Sequence, residues 1–125
     1  MNASVQVPTI SLASPLLAAE LWISFASLLR SHVAMHSIAR PDNQLRIVSI
    51  SGSAVELLGS TGKLNILGPD ASGTGATEFR PEAGELGDEY SAFFFTEDGL
   101  LHFDDLNDAM EMETAVEHVL DKVRR

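Results

Sequence analysis

The chain has 125 residues, 45% of them hydrophobic, with a formal net charge of −10 and no cysteine. Such a length supports one domain with a core of its own, and such a composition is globular rather than disordered. Lack of cysteine excludes disulfides, thiolate catalysis and cysteine-ligated zinc, and the acid excess opposes nucleic acid and anionic lipid, both of which need counter-charge on the protein.

That charge is unevenly placed. Residues 1–62 hold three acids against three bases, whereas residues 63–125 hold fifteen acids against five bases. An acidic half of this kind keeps a protein soluble and also suits a basic protein partner or cations.

The first residues, MNASVQVPTISLAS, carry no basic segment of the kind that opens a secretory signal, so a cytoplasmic location is expected. Asn2-Ala3-Ser4 matches a glycosylation sequon, which has no use without export. Val5, Val7, Ile10 and Leu12 alternate, but Pro8 removes a ladder donor and confines such a strand to an edge. Residues 1–13 are therefore expected to be a flexible or edge-strand arm, and residues 14–125 a single α+β domain.

Ser14 to about Ala39 is the longest apolar run and holds the only Trp. Ser14 can accept from a free first-turn amide, and Pro15 lacks a donor that would be unsatisfied there anyway. Pro41 pushes the residue before it out of helical geometry, so the helix should stop near Ala39 or Arg40. Glu20, Ser24, Ser27 and Ser31 form one narrow polar stripe. Almost everything else is apolar, and a helix apolar over most of its circumference is usually buried on more than one side. Glu20 and Arg30 interrupt the run too early for a membrane span.

Arg40-Pro41-Asp42-Asn43 reads as a turn. Strands are expected over 44–51, 54–58 and 63–67, separated by short Gly- and Ser-containing turns. Turns this tight imply antiparallel neighbours, because parallel pairing needs a long crossover. Gly68 to Gly75 reads as a loop, 76–80 as a short strand, and Pro81 to Glu89 as a polar, mobile loop. Tyr90 to Phe95 is a strand whose Thr96-Glu97-Asp98-Gly99 turn leads into 100–103. Alternation puts Tyr90, Ala92 and Phe94 on one face and Ser91, Phe93 and Phe95 on the other. Asp104 or Asp105 then caps a last amphipathic helix reaching about Arg124, with Leu106, Ala109, Met110, Val116, Val119, Leu120 and Val123 at helical spacing. The sum is a two-layer α+β sandwich: a long N-terminal helix, an antiparallel meander of four to six strands and a C-terminal helix.

Catalytic motifs fail on spacing. Gly59-Ser60-Thr61-Gly62-Lys63 lacks the first glycine of a phosphate loop and the hydroxyl residue after its lysine. Asp104, Asp105 and Asp108 lack the spacing and glycine of a calcium hand. His32 and His36 share a helix face at i, i+4 and could both reach a metal, with His102, His118 or an acid as third ligand. The glutamate of a zinc-protease helix is missing, since Val33 follows His32. Glu82, Glu85, Asp88 and Glu89 form an acidic cluster, as do Asp104, Asp105 and Asp108. Both sit in an expected loop or cap, where solvated carboxylates are ordinary.

In layout, an acidic chain ending in an amphipathic helix after an antiparallel sheet resembles type III secretion chaperones and related dimeric chaperone-like folds, though the middle helix of that layout has no place between Gly68 and Glu89. The expected function is a non-enzymatic interaction module, homodimeric, acting without a cofactor. Trp22, Phe25, Leu29, Phe93 and Phe95 are the expected interface or ligand wall. Two alternatives are a small-molecule or cation binder with a pocket between the first helix and the sheet, and a metal-assisted hydrolase using His32 and His36.

Overall fold

A computed structural model describes residues 11–39, 45–82 and 87–123. Helix α1 (Pro15–Ala39) is followed by strands β1 (Arg46–Ile50), β2 (Ala54–Leu58), β3 (Gly62–Leu67), β4 (Thr74–Pro81), β5 (Glu89–Phe95) and β6 (Leu101–Phe103), and by helix α2 (Met112–Leu120). The strands form one six-stranded sheet in the order β1-β2-β3-β4-β5-β6, every pair antiparallel. This is the expected α+β meander between two helices, with six strands. The expected strand over Val5, Val7 and Ile10, the turn at residues 40–43, the centre of the polar loop with Glu85, and Arg124 lie outside the described residues.

Helix α1 starts as its sequence dictates. The Ser14 hydroxyl accepts from the Leu17 amide at 3.2 Å, and the Ser14 carbonyl accepts the first helical bond, from Ala18, at 2.8 Å. Just before it, Leu12 bridges Thr96, the Ala13 amide donates to the Phe95 carbonyl at 3.0 Å, and the Glu97 amide donates to the Ser11 carbonyl at 2.9 Å. The entry to α1 is thereby fixed beside the end of β5.

Both helices lie on one face of the sheet. In β2, β3, β5 and β6 the buried side chains alternate as a half-covered sheet requires: Val55 and Leu57, Leu64 and Ile66, Phe93 and Phe95, Leu101 and Phe103. From α1 they meet Ala18, Trp22, Phe25, Leu29 and Val33, and from α2 Ala115, Val116, Val119 and Leu120. The turn before β6 follows from its Asp-Gly pair. Gly99 sits at φ +83°, which costs a glycine no steric clash, and its amide donates to the Thr96 carbonyl at 3.0 Å.

Two expectations need correction. The last helix does not begin at Asp104 or Asp105. Residues 104–108 form turns, and Met110 returns to exchange two backbone bonds with Leu101, both 2.8 Å. The helix proper starts at Met112, and Glu111 at its N-cap makes no side-chain capping bond. Leu106, Ala109 and Met110 thus imitate a helical stripe while lying in an irregular segment that covers the edge of β6. Second, α1 is not buried on several sides. Its buried residues follow one line at spacings of three and four, and its opposite face meets solvent.

Candidate functional site

The five aromatic and aliphatic residues expected to form an interface or ligand wall occupy the centre of the core. Phe25, Leu29, Phe93 and Phe95 are essentially fully buried and Trp22 is 5% exposed. Phe25 stands 6.3 Å, ring centre to ring centre, from Trp22, from Phe93 and from Phe95, and Phe93 meets Phe95 edge-on at 5.8 Å. Edge-on and tilted aromatic pairs at these distances are favourable packing geometries, so these rings fill against one another. Trp22 marks the rim. Its indole Nε1 donates to the Gly52 carbonyl at 3.0 Å, and a Cβ on Gly68 would stand only 2.8 Å from the indole ring. The turn after β1 and the end of β3 are both fitted around this one side chain.

His32 and His36 follow one another along the helix. The His32 Nδ1 lies 3.1 Å from Glu117 Oε1, an ion pair or a hydrogen bond according to the proton on the ring, and it links α1 to α2. The two histidines expected as third ligands have other partners. His102 has its Nε2 3.0 Å from the Leu106 carbonyl and packs edge-on against Phe94, while His118 packs on Phe103 with ring centres 4.8 Å apart. Among the described residues no three His, Asp or Glu side chains converge as a metal site requires.

Several acidic residues have local partners. Asp70 closes a tight turn, accepting from the Ser72 hydroxyl at 2.5 Å, the Ser72 amide at 2.8 Å and the Thr74 amide at 3.3 Å. The Ser72 hydroxyl, then the Ser72 and Thr74 amides, stabilise its charged form and hold its carboxyl below the ordinary 3.8. The Ser91 hydroxyl lies 2.9 Å from an Asp104 oxygen and 3.3 Å from one of Asp105. Asp88 lies 3.6 Å from Arg80, and Glu89 4.0 Å from Lys122.

Two surfaces remain uncovered. One is the outer face of the sheet. Cross-strand register there places Arg46, Leu58, Lys63 and Arg80 in one row. A hollow of about 240 Å³ opens beside it, lined by Leu58, Gly59, Gly62, Lys63, Arg80 and Glu82. Its cations are already engaged, Lys63 with Glu56 at 3.1 Å and Arg80 with Glu78 at 3.0 Å, so it is not a cationic pocket awaiting an anion.

The other surface is the outer face of α1. Leu16 is 75% exposed, Ile23 67%, Met35 70% and Ile38 81%. These are four large apolar side chains along one helix, directed away from the core, an uncovered hydrophobic feature of the kind that marks a contact surface. No described helix is long and apolar enough to cross a membrane. The chain matches no protein-family model, no curated protein and no solved structure, so the likeness to chaperone-like folds stays one of layout. The apolar character of α1 is plain in the sequence. Its outer face is also marked in the sequence, since the polar stripe of Glu20, Ser24, Ser27 and Ser31 is exposed throughout, whereas the exposure of Leu16, Ile23, Met35 and Ile38 beside that stripe follows from the packing.

Proposed function

We propose that this protein is a non-enzymatic, cytoplasmic interaction module that works as a homodimer, with the outer face of α1 as its self-association surface. The observation that carries this reading is the exposure of Leu16, Ile23, Met35 and Ile38 on a helix whose other face already forms the core. Removing such side chains from water is favourable by about 25 cal/mol per Å², and a second copy is the partner always present at equal concentration. The helix also belongs to the half of the chain in which acids and bases balance, so two copies meet there with the least local repulsion. The acidic second half stays outward and is the surface a basic protein partner would meet.

Size-exclusion chromatography with light scattering, run at increasing concentration, tests the reading. The expected mass rises from 13.5 kDa toward twice that value. A mass fixed at 13.5 kDa up to several hundred micromolar would remove the homodimer.

A further inference from the structure

Resting on that homodimer, the residues of α1 also specify its geometry. Leu16, Glu20, Ile23, Ser27, Arg30 and Ala34 are all exposed and follow one another at spacings of four, three, four, three and four. This alternation is the spacing at which the residues of one helix meet a partner helix along the seam of a two-helix pair, and three of the six, Leu16, Ile23 and Ala34, are apolar. The seam lies opposite the buried line of Ala18, Trp22, Phe25, Leu29 and Val33. It holds one acid and one base, Glu20 and Arg30, each five residues from Phe25, and neither makes an ion pair among the described residues.

We infer that α1 pairs antiparallel with α1 of a second copy, about a two-fold axis level with Phe25, so that Glu20 of each copy meets Arg30 of the other. In a two-fold contact every pairing occurs twice. With this register Leu16 faces the second copy's Ala34, and Ile23 faces its Ser27. Each large side chain thus meets a small one, the arrangement that lets facing layers interdigitate. Competing arrangements lose on charge. A parallel pair sets Glu20 on Glu20 and Arg30 on Arg30. An antiparallel pair slipped by one heptad leaves Arg30 opposite Ser27, or beyond the seam of the second copy, and Glu20 opposite Ser37 or Ile23. The one acid and the one base thereby select direction and register, as charges do in helix pairing generally.

From Leu16 to Ala34 the seam spans about 27 Å. An interface of that length and one helix wide falls in the small, weak class, so the dimer should dissociate on dilution. Charge reversal tests the register by sedimentation equilibrium at about 10 to 300 micromolar, the range in which a weak dimer dissociates. Glu20→Arg and Arg30→Glu each convert two attractions into two repulsions, and each should raise the dimer Kd about tenfold or more. The double variant Glu20→Arg/Arg30→Glu restores both pairs and should return the Kd to near that of the unaltered protein. Both positions are exposed, so circular dichroism should show all three variants folded. A dimer indifferent to the single reversals, or one the double variant does not rescue, overturns this register while leaving the homodimer standing. No dimer in the unaltered protein overturns both.

Oxidative cross-linking adds a second readout, because the chain has no cysteine of its own. A mixture of Glu20→Cys and Arg30→Cys chains should form a disulfide-linked dimer, and each variant alone should not, since like positions would lie about 15 Å apart along the helix pair. Efficient linkage in the Glu20→Cys sample alone would mean a parallel pair and would sink the inference.

Discussion

Trp22 holds α1 to two loops at once, through its bond to the Gly52 carbonyl and through the flat contact of its indole with Gly68. Trp22→Phe keeps most of the ring packing but leaves the Gly52 carbonyl without its donor. The expected cost is about 1–3 kcal/mol, the usual penalty for a partly buried polar group losing its partner, measured by urea unfolding followed by circular dichroism. Asp70 offers a pH-dependent counterpart. Its charged form gains hydrogen bonds in the folded chain, so its folded pKa lies below the unfolded value. The stabilisation it gives is fully present above that unfolded value and is lost as pH falls through the folded pKa. A carboxyl-carbon NMR titration should place the Asp70 midpoint below 3.8. A midpoint at or above 3.8 would mean that the turn does not persist in solution.

At the scale of the element, α1 has a wholly apolar buried face and a mixed outer face on which large apolar side chains also stand. Leu29 is fully buried, and Leu29→Ala should cost about 2–5 kcal/mol through lost transfer energy and the cavity left behind. Ile23 lies on the outer face, and Ile23→Ala should change the stability of the monomer, measured at high dilution, by less than about 0.5 kcal/mol. The same substitution should weaken self-association in concentrated samples. Equal destabilisation by both changes would mean that the outer face is covered within the chain. The sequence made this helix legible because its start is chemical: Ser14 and Pro15 can do little else there, and Pro41 sets its limit. The strands were legible through alternation and tight turns. The start of α2 was not, because Asp104 and Asp105 look like caps and Leu106, Ala109 and Met110 keep a helical spacing. The competing interaction is a strand-like pairing of Met110 with Leu101, which the helical spacing of the apolar residues does not reveal. The aromatic site misled for a related reason. Composition shows that Trp22, Phe25, Phe93 and Phe95 must be covered, but only their mutual packing shows that they cover one another.

For the whole molecule the question is which surfaces can receive a partner. One sheet edge is closed, since Met110 pairs with Leu101 along β6. The other edge, β1, pairs only with β2 among the described residues and exposes Val48 and Ile50 to about half their full area. Open edges invite strand addition, yet β1 is only five residues long and its register with β2 shifts between Ile47 and Ser49. A short, irregular edge is a known protection against such pairing. Association through α1 and association through β1 therefore predict different hydrogen exchange. In either case the amides of β3 and β4, paired on both sides, should exchange slowly at every concentration. If α1 is the interface, the outward amides of β1 stay fast and unchanged as the protein is concentrated, because nothing docks on that edge. If β1 is the interface, those amides slow as the dimer forms. Exchange measured at two concentrations on either side of the dimer Kd should show no concentration dependence in β1, and a protected β1 would move the interface from the helix to the sheet edge.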